Sequence, residues 1–329
     1  MDQKKIKIGF IGAGSIGSLF GGYLAAIQSK SYLPEVIFFC KEDHAKSINK
    51  NGLKIDLKGS VRVIDNIKAF KNLEDYITSQ MDKINGFDFI FLTTKTYDIK
   101  NALFQYMSLI EQSKWLVILQ NGIGNEDSIK KYCDKTKLVR IITSHGALLK
   151  NSGYVYHKGT GFTYIGFPFQ DLKKVSTGEY QNARYLLETI LKLAGIESSF
   201  VENIIEKSWE KAFINIGINA LGALTRLKNG RLLESKGLRR IMAGAVKEAL
   251  KIAELKKIEL SKENFIELTF SVAKETYNNK NSMLQDVIKG KKTEIDFLNG
   301  KIVEYAKELG LEVPINEILT NLIKGLEES

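Results

Sequence analysis

The sequence contains few cysteines, prolines and histidines, and each shortage excludes a class of protein. Only two cysteines occur among 329 residues, Cys40 and Cys133, and they form no CxxC pair. This count excludes a disulfide scaffold and a zinc-binding cysteine motif, so we expect reduced thiols. The three prolines mark no linker, and the scattered histidines, His44, His145 and His157, match no metal-ligand spacing. We therefore expect no metal site.

Arginine is also scarce, although the chain is basic. The 48 lysines and arginines against 38 acidic residues give a net charge of +10, yet only seven of the 48 are arginines. Lysine is mostly a solvated surface residue, whereas recognition of phosphates and bases favours arginine. We therefore expect no nucleic-acid partner. The hydrophobic fraction of 44% and the charged fraction of 26% are those of a globular protein.

Long hydrophobic runs are absent as well. The longest nearly apolar stretch, residues 212–224, is too short to span a bilayer and contains two asparagines. The N-terminal residues lead directly into an apolar strand and lack the hydrophobic region of a signal peptide. These features predict a cytoplasmic protein with no membrane partner.

The first 200 residues alternate between strand-like and helix-like segments, which predicts a parallel sheet with helices on both faces. A helix is predicted over residues 15–28. The predicted strands of this sheet share short apolar runs: residues 6–11, 36–40, 88–94, 115–120 and 138–144. Two further pairs are predicted to be antiparallel: 53–57 with 61–64 as a hairpin, and 154–157 with 162–166.

After about residue 200 the pattern becomes helical. The predicted helices cover residues 203–226, 238–256, 261–277, 294–309 and 315–327. Gly310, with Pro314 shortly beyond it, is typical of a helix end. The sequence therefore predicts an α/β domain with a doubly wound sheet over residues 1–200 and an all-α domain over residues 201–329.

A glycine-rich loop joins the first predicted strand to the first predicted helix: Gly12-Ala13-Gly14-Ser15-Ile16-Gly17. In such a G-x-G-x-x-G loop, the first glycine permits a tight turn and the second lets backbone amides approach a pyrophosphate. The third lets the helix pack closely. The position between strand and helix favours dinucleotide binding over a glycine turn without a ligand.

The residue after the second predicted strand bears on the choice of cofactor. A basic residue there suits the 2′-phosphate of NADP, whereas NAD enzymes usually have an acid for the ribose hydroxyls. Lys41 ends that strand and favours NADP. Glu42 and Asp43 follow at once and weaken this inference, and Lys41 could also be an ordinary surface lysine. Both cofactors remain open on these residues alone.

From residue 212 to residue 224 of one predicted helix, only Asn215 and Asn219 are polar, and Lys211 lies four positions before Asn215. At about 100° per residue, their side chains fall on one side of that helix. A buried amide without partners costs about 1–3 kcal/mol, so both asparagines need hydrogen bonds, to other helices or to a ligand. Gly217, in the middle of the helix, suggests the close approach of another group.

Together with the glycine loop, five stretches in order carry a resemblance that covers nearly the whole chain. They are residues 93–96 (Thr-Thr-Lys-Thr), 120–124 (Gln-Asn-Gly-Ile-Gly), 209–219, 282–286 (Ser-Met-Leu-Gln-Asp) and 293–296 (Thr-Glu-Ile-Asp). With these motifs the chain resembles the ketopantoate reductase (2-dehydropantoate 2-reductase) family. The resemblance implies a Rossmann domain, an all-helical C-terminal domain and an active site in the cleft between them. It also implies NADPH-dependent reduction of 2-dehydropantoate to pantoate, in pantothenate and coenzyme A biosynthesis.

The resemblance implies roles for residues of the helical part. Lys211 would be the general acid that protonates the ketone oxygen, which requires a lysine of lowered pKa. Glu294 would hold or tune that lysine. Asn215 and Asn219 would bind the hydroxyl or carbonyl of the substrate, and Ser282 its carboxylate.

The resemblance also implies contacts with NADPH. Lys95 and Asn121 match positions near the nicotinamide and the substrate, at the carboxyl ends of strands where this fold binds ligands. Lys41 stands where the family often has an arginine for the 2′-phosphate, and a lysine makes that contact without the bidentate fork. The implied cofactor site comprises these three residues and the glycine loop.

Without the resemblance, these residues also have structural explanations. Glu294 suits the dipole of a helix that begins there, Ser282 could be a loop serine, and Lys95 and Asn121 could belong to turns. Two alternative functions also remain: reduction of a different 2-keto acid, and a non-catalytic NAD(P)-binding sensor. A sensor needs no proton donor, so the presence of both Lys211 and Glu294 argues against it. The sequence is compatible with a monomer or a homodimer.

Overall fold

The chain divides into two compact units. The computed structural model describes residues 3–81, 86–169 and 178–328. The first unit contains the chain up to Gln120 together with Glu126–Ile204, and the second contains Asn121–Asn125 together with the chain from Ile205 onward. Residue 121 and its neighbours thus belong to the second unit, although they follow a strand of the first.

All strands of the described part of the chain lie in the first unit. They are β1 (Lys4–Ile11), β2 (Tyr32–Phe39), β3 (Leu53–Leu57), β4 (Ser60–Ile64), β5 (Lys68–Phe70), β6 (Phe89–Leu92), β7 (Trp115–Ile118), β8 (Leu138–Thr143), β9 (Gly146–Asn151), β10 (Tyr154–Gly159), β11 (Thr163–Gly166) and β12 (Ser199–Phe200). The accompanying helices are α1 (Ser15–Ala25), α2 (Glu42–Asn51), α3 (Leu73–Ser79), α4 (Ile99–Glu111), α5 (Asn125–Ile129) and α6 (Gly178–Leu193).

Eight of these strands form one sheet in the order β12-β11-β8-β7-β6-β1-β2-β5. The six strands from β8 to β5 are mutually parallel, and β11 runs antiparallel to β8. The order of the parallel strands is that of a Rossmann fold, as predicted. In this fold ligands bind beyond the carboxyl ends of the strands, where the order reverses between β1 and β6.

The large sheet is buried on both faces, which explains its continuous apolar strands. In β2, Val36 and Phe38 pack with residues of α1 and α6, whereas Ile37 and Phe39 pack with residues of α3 and α4. Successive side chains of a strand point to opposite faces, so each strand must be apolar at every position when helices cover both faces.

The smaller sheet has the order β4-β3-β10-β9 and corrects one prediction. Strands β3 and β4 form the predicted antiparallel hairpin. The predicted pairing of residues 154–157 with 162–166 is wrong: β10 pairs with β9 and β3, whereas β11 pairs with β8 in the large sheet. Strand β9 was not predicted. It is joined to β10 by a tight turn at Gly153 (φ +73°), and it therefore occupies the edge of β10.

The described part of the second unit is entirely helical. Its helices are α7 (Ile204–Thr225), α8 (Lys236–Leu255), α9 (Phe265–Glu275), α10 (Ser282–Ile288), α11 (Asn299–Glu308) and α12 (Pro314–Glu328). Helix α10 was not predicted, and residues 295–297 form a 3₁₀ turn before α11. Among the described residues, none of the helices combines the length and the apolar character needed to cross a membrane.

Helix α7 lies at the centre of the second unit's core. Its apolar residues pack with residues of α8, α9, α11 and α12. Gly217 allows this close packing, because a Cβ at that position would lie 2.7 Å from Thr269 Cγ2 and 3.1 Å from Val246 Cγ2. The close approach predicted at Gly217 is therefore made by neighbouring helices.

Candidate active site

The glycine loop has the backbone geometry that its motif requires. Gly12 adopts a φ of +81°, and a Cβ there would lie 2.7 Å from Thr94 Cα at the end of β6. Gly17 lies against the side chain of Thr93, whose Cβ would be 3.1 Å from an added Cβ. A Cβ at Gly14, in contrast, would have no neighbouring atom closer than Gly12 O at 3.8 Å. The first and third glycines therefore allow packing, whereas the second leaves open space.

Helix α1 begins directly after this open space. The amide of Ser18 donates to Gly14 O at 2.9 Å and forms the first helical hydrogen bond, so the amides of Ser15, Ile16 and Gly17 precede the helical ladder. The first turn contains no acidic residue. The Ser15 hydroxyl accepts a hydrogen bond from Leu149 N at 2.9 Å, which joins the start of α1 to β9. A helix N-terminus of this kind favours the binding of an anion, because its first backbone amides point outwards and the helix dipole is positive there.

A buried network that was not predicted holds the glycine loop. Ser18 Oγ donates to Ala13 O at 3.0 Å and contacts His44 Nε2 at 2.9 Å. His44 Nδ1 accepts from Gly153 N at 2.8 Å, so Nε2 carries the imidazole proton and donates it to Ser18. Burial lowers the pKa of His44 to about 4 and keeps the ring neutral. Ser18 lies outside the glycine motif, and no local sequence signal indicated this role.

Lys41 lies beside the loop in the chain that continues from β2. Gly12 N and Ala13 N both donate to Phe39 O, at 2.8 and 3.2 Å, so the end of β2 is bonded to the loop. Lys41 is exposed at the start of α2. Glu42 Oε1 pairs with Lys46 Nζ at 2.7 Å on the surface of that helix.

Lys95 follows the end of β6, and Gln120 follows the end of the adjacent strand β7. Gln120 Nε2 donates to the carbonyl oxygen of Thr94 at 2.8 Å and contacts its hydroxyl at 2.9 Å. This buried amide ties the two strand ends together and fixes the backbone that leads to Lys95, a half-buried residue. The role of Gln120 was not predicted, although it directly precedes Asn121 in the matched motif.

The short loop after Gln120 places Asn121 within the second unit. Gly122 (φ +88°) lies against the 3₁₀ turn, where a Cβ would be 2.6 Å from Phe297 O, and Ile123 N donates to that oxygen at 3.3 Å. Asn125 Nδ2 donates to Asn121 O at 2.7 Å. The glycine after Asn121 is therefore explained by a close backbone contact as well as by turn geometry.

Within the second unit, Asn121 joins the two residues proposed for catalysis. Lys211 Nζ donates to Asn121 Oδ1 at 2.8 Å, and Asn121 Nδ2 lies 3.5 Å from Glu294 Oε2. Glu294 is only 7% exposed, and its side chain does not cap the 3₁₀ turn that follows. The amide thus presents its oxygen to the ammonium and its nitrogen to the carboxylate, which is the favourable orientation for an ionised pair.

Asn215 and Asn219 follow Lys211 on α7 at intervals of one helical turn. Asn219 is 4% exposed, and Asn215 is half-buried. Neither side-chain amide has a hydrogen-bond partner in residues 3–81, 86–169 or 178–328. Of the two alternatives, hydrogen bonds to other helices are therefore not formed there, and both amides can bind a ligand.

Ser282 is the first residue of α10 and is exposed. The preceding residue, Asn281, contacts the Ile218 carbonyl of α7 through its side-chain nitrogen at 3.4 Å. The start of α10 is thereby brought beside the residue that precedes Asn219. The interpretation of Ser282 as a loop serine is wrong, because Asn281 caps a helix that starts at that serine.

His145 and His157 form a second buried group in the first unit. Tyr23 OH lies 2.7 Å from His157 Nδ1, and His157 Nε2 lies 3.0 Å from Gly159 O and 3.2 Å from His145 Nδ1. Because a carbonyl only accepts, Nε2 of His157 carries its proton. Burial, and secondarily His157, lowers the pKa of His145 to about 4. In the described part of the chain, no cluster of three or more potential metal ligands is found.

Comparison with known proteins identifies relatives along the whole chain. Residues 8–168 match the family described as Ketopantoate reductase PanE/ApbA, and residues 203–327 match its C-terminal part, described as Ketopantoate reductase PanE/ApbA C terminal. The 2-dehydropantoate 2-reductase of Pyrococcus horikoshii is 37% identical over 322 residues, which are 98% of this chain and 98% of that protein.

Solved structures agree with these matches. A PanE/ApbA family ketopantoate reductase from Ralstonia eutropha JMP134 has a TM-score of 0.83 at 25% identity and covers 98% of this chain and 99% of its own. A D-mandelate dehydrogenase solved with NADH and anilino(oxo)acetate has a TM-score of 0.82 at 26% identity, with the same coverage. The chain therefore belongs to the ketopantoate reductase family of oxidoreductases.

Proposed function

We propose that this protein is a 2-dehydropantoate 2-reductase that uses NADPH to reduce its substrate to pantoate. The observation that carries the proposal is the 2.8 Å contact between Lys211 Nζ and Asn121 Oδ1, with Glu294 at the other end of the same amide. The name of the Pyrococcus horikoshii relative supports the choice of substrate. The corresponding pathway would be pantothenate and coenzyme A biosynthesis.

The glycine loop fits a nicotinamide dinucleotide. Gly14 leaves room for a pyrophosphate, and the amides of Ser15, Ile16 and Gly17 precede the helical ladder of α1. The loop, Gly12 to Gly17 with Ala13, would hold the cofactor together with Lys41, Lys95 and Asn121. When bound, the cofactor supplies the hydride. The NADH in the D-mandelate dehydrogenase structure supports a nicotinamide cofactor in general.

Lys41 supports NADPH over NADH. It is exposed next to the loop, where a 2′-phosphate would gain a charged hydrogen bond. The acid that directly follows it, Glu42, is paired with Lys46 and is therefore less available to the ribose hydroxyls. The NADH-bound relative favours the opposite choice, so the two cofactors must be compared directly.

Lys211 would act as the general acid. When a ketone becomes an alcohol, its oxygen takes up a proton, and the ammonium of Lys211 can donate one. Asn121 accepts a hydrogen bond from this ammonium and so fixes Nζ, and Glu294 fixes the orientation of the Asn121 amide. Glu294 would thereby hold the lysine in place through the Asn121 amide.

The remaining polar groups of the second unit would bind the substrate. Asn215 and Asn219 have side-chain amides that are not used by the described residues, and they would bind the hydroxyl or carbonyl. The exposed hydroxyl of Ser282 would bind the carboxylate. We further propose that residues 1–200 bind the cofactor, while residues 201–329 bind the substrate and carry the general acid.

The test is the oxidation of NADPH and NADH by the purified protein with a panel of 2-keto acids. We expect the highest kcat/KM with 2-dehydropantoate and NADPH. The variant Lys211→Ala, assayed beside the wild type, should bind NADPH but lose turnover. Wild-type turnover by this variant would contradict the proposed acid.

The same panel tests two alternatives. The first alternative is that this protein reduces a different 2-keto acid, and the similarity to D-mandelate dehydrogenase favours it. A higher kcat/KM with an aromatic 2-keto acid than with 2-dehydropantoate would support this alternative. A non-catalytic sensor would bind NADPH and turn over no member of the panel. The contact of Lys211 with Asn121 argues against a sensor, because a sensor needs no proton donor.

A further inference from the structure

Asn281 makes contacts in three directions from a buried position. It is 9% exposed, and its Oδ1 accepts a hydrogen bond from Leu284 N at 2.9 Å, which caps α10. Its Nδ2 contacts Ile218 O on α7 at 3.4 Å and Asn229 Oδ1 at 3.5 Å. Capping requires only the oxygen, so the nitrogen contacts are additional to the cap.

Helix α7 leaves space for this amide at Gly222. A Cβ on Gly222 would overlap Asn281 Nδ2, and the Asn281 side chain has little freedom to move because its oxygen is bonded to Leu284 N. A glycine inside a helix is destabilising relative to alanine. Close contact with the Asn281 amide is therefore a physical reason for glycine at position 222.

Asn229, which contacts the Asn281 amide, also bonds the segment between α9 and α10. Its Nδ2 donates to Thr276 Oγ1 at 2.9 Å, and its own amide donates to Asn279 O at 3.0 Å. Asn281 thus lies where α7, the 3₁₀ segment at residues 229–234 and the start of α10 meet. Two of these segments carry proposed substrate ligands next to the contact: Asn219 follows Ile218, and Ser282 follows Asn281.

We infer that Asn281 is a positioning residue that sets the distance between the Asn219 amide and the Ser282 hydroxyl. This distance determines how tightly the protein binds the substrate, whose carboxylate would contact Ser282 and whose hydroxyl or carbonyl would contact Asn219. The inference rests on the proposed function, because Asn219 and Ser282 are substrate ligands only in that proposal. It assigns Asn281 no direct contact with substrate.

The first test replaces the nitrogen without changing the shape or the cap. Asn281→Asp keeps an oxygen for Leu284 N but turns a second oxygen towards two acceptors, Ile218 O and Asn229 Oδ1, and so pushes the segments apart. We expect KM for 2-dehydropantoate to rise about tenfold, the order of one hydrogen bond lost on binding. We expect kcat to change less than about threefold, because an interaction that stabilises the ground state and the transition state to the same extent changes KM and not kcat. The Kd of NADPH should stay constant.

A matched control separates positioning from capping. Asn264 caps α9 through its oxygen alone, accepting from Ile266 N and Glu267 N, and it is exposed. Asn264→Asp should leave KM unchanged. A purely structural role of Asn281 would lower Tm and the active fraction of the Asn281→Asp protein, and would leave KM at the wild-type value.

The second test approaches the same contact from α7. Gly222→Ala should raise KM because its methyl group displaces the Asn281 amide, and Gly222→Ala with Asn281→Ser should lower KM again, because serine leaves room and still caps. The Kd of pantoate, measured by calorimetry, should follow KM in each variant. If KM is unchanged in both single variants while the wild type turns over 2-dehydropantoate, this inference is wrong. If the wild type turns over no 2-dehydropantoate, the proposed function fails and the inference fails with it.

Discussion

The three histidines of the chain are all buried in the first unit, and this makes the unit sensitive to acid. His44 is 3% exposed, and its Nδ1 accepts a hydrogen bond from Gly153 N. A second proton on this ring would break that hydrogen bond and place a positive charge at a buried position. Burial accordingly lowers the pKa of His44 from 6.5 to about 4. It lowers the pKa of His145 to about 4 as well, and it lowers the pKa of His157.

The direction and size of the effect follow from these values. As the pH falls from 6.5 towards 4, the unfolded chain takes up protons that the folded chain does not, so the free energy of unfolding decreases. For His44 the loss is about 2 kcal/mol at pH 5 and about 3 kcal/mol once the pH is below both pKa values. His145 adds a similar amount. A combined loss of about 4 kcal/mol at pH 5 is a large part of the usual 5–15 kcal/mol.

Urea unfolding at pH 7.5 and pH 5 measures this loss. Trp115 lies in β7 of the first unit and Trp209 in α7 of the second, so tryptophan fluorescence of the Trp209→Phe variant reports on the first unit. His44→Gln is the control, because glutamine supplies an acceptor and a donor but cannot be protonated. It should remove about half of the pH-dependent loss. Equal free energies of unfolding at the two pH values, or a full pH dependence in His44→Gln, would refute the reasoning.

The remaining predictions concern the proposed reaction. Lys211→Ala should lower kcat about 10²- to 10⁴-fold at constant NADPH affinity, measured by single-turnover kinetics and fluorescence titration. Asn121→Ala should lower kcat about tenfold, since it removes one hydrogen bond that fixes the lysine, and a larger effect on NADPH Kd than on kcat would contradict this role. Gly14→Ala should keep Tm but weaken NADPH binding. Gly12→Ala should lower Tm, because Gly12, unlike Gly14, has a positive φ and no space for a Cβ. Lys41→Ala should raise the Kd of NADPH about tenfold and leave that of NADH unchanged, and equal changes for both would speak against a 2′-phosphate contact.

Several features could be predicted because they depend on neighbours along the chain. The apolar strands, the β3–β4 hairpin and the loop from Gly12 to Gly17 each have a local signature. The alternation of strands and helices predicted a parallel sheet covered by helices, and the resemblance implied the Rossmann domain that the strand order shows. The pairing of β10 was predicted wrongly because strand partners depend on which edge another segment has already occupied. Helix α10 was missed because its start depends on Asn281, whose cap was not recognised in a polar stretch.

The proposed site shows the same division between local pattern and distant contact. The spacing of Lys211, Asn215 and Asn219 placed them on one side of a helix, since helical geometry alone determines which residues share a face. Their roles, like those of the other proposed site residues, stay predictions until they are assayed. Which groups meet that face could not be derived from spacing. Asn121 is 90 residues from Lys211 and 173 residues from Glu294, and only the packing of the folded chain brings the three side chains together.

Residue order along short stretches thus accounts for the fold class, the geometry of the glycine loop and the polar side of α7. The tertiary structure decided which strand pairs with β10, how Asn121 is shared between a lysine and a carboxylate, and why position 222 is a glycine. The physical reason is the range of the interactions. Helix periodicity, strand alternation and turn geometry act over a few residues, whereas packing and side-chain hydrogen bonds join residues that are far apart in the sequence.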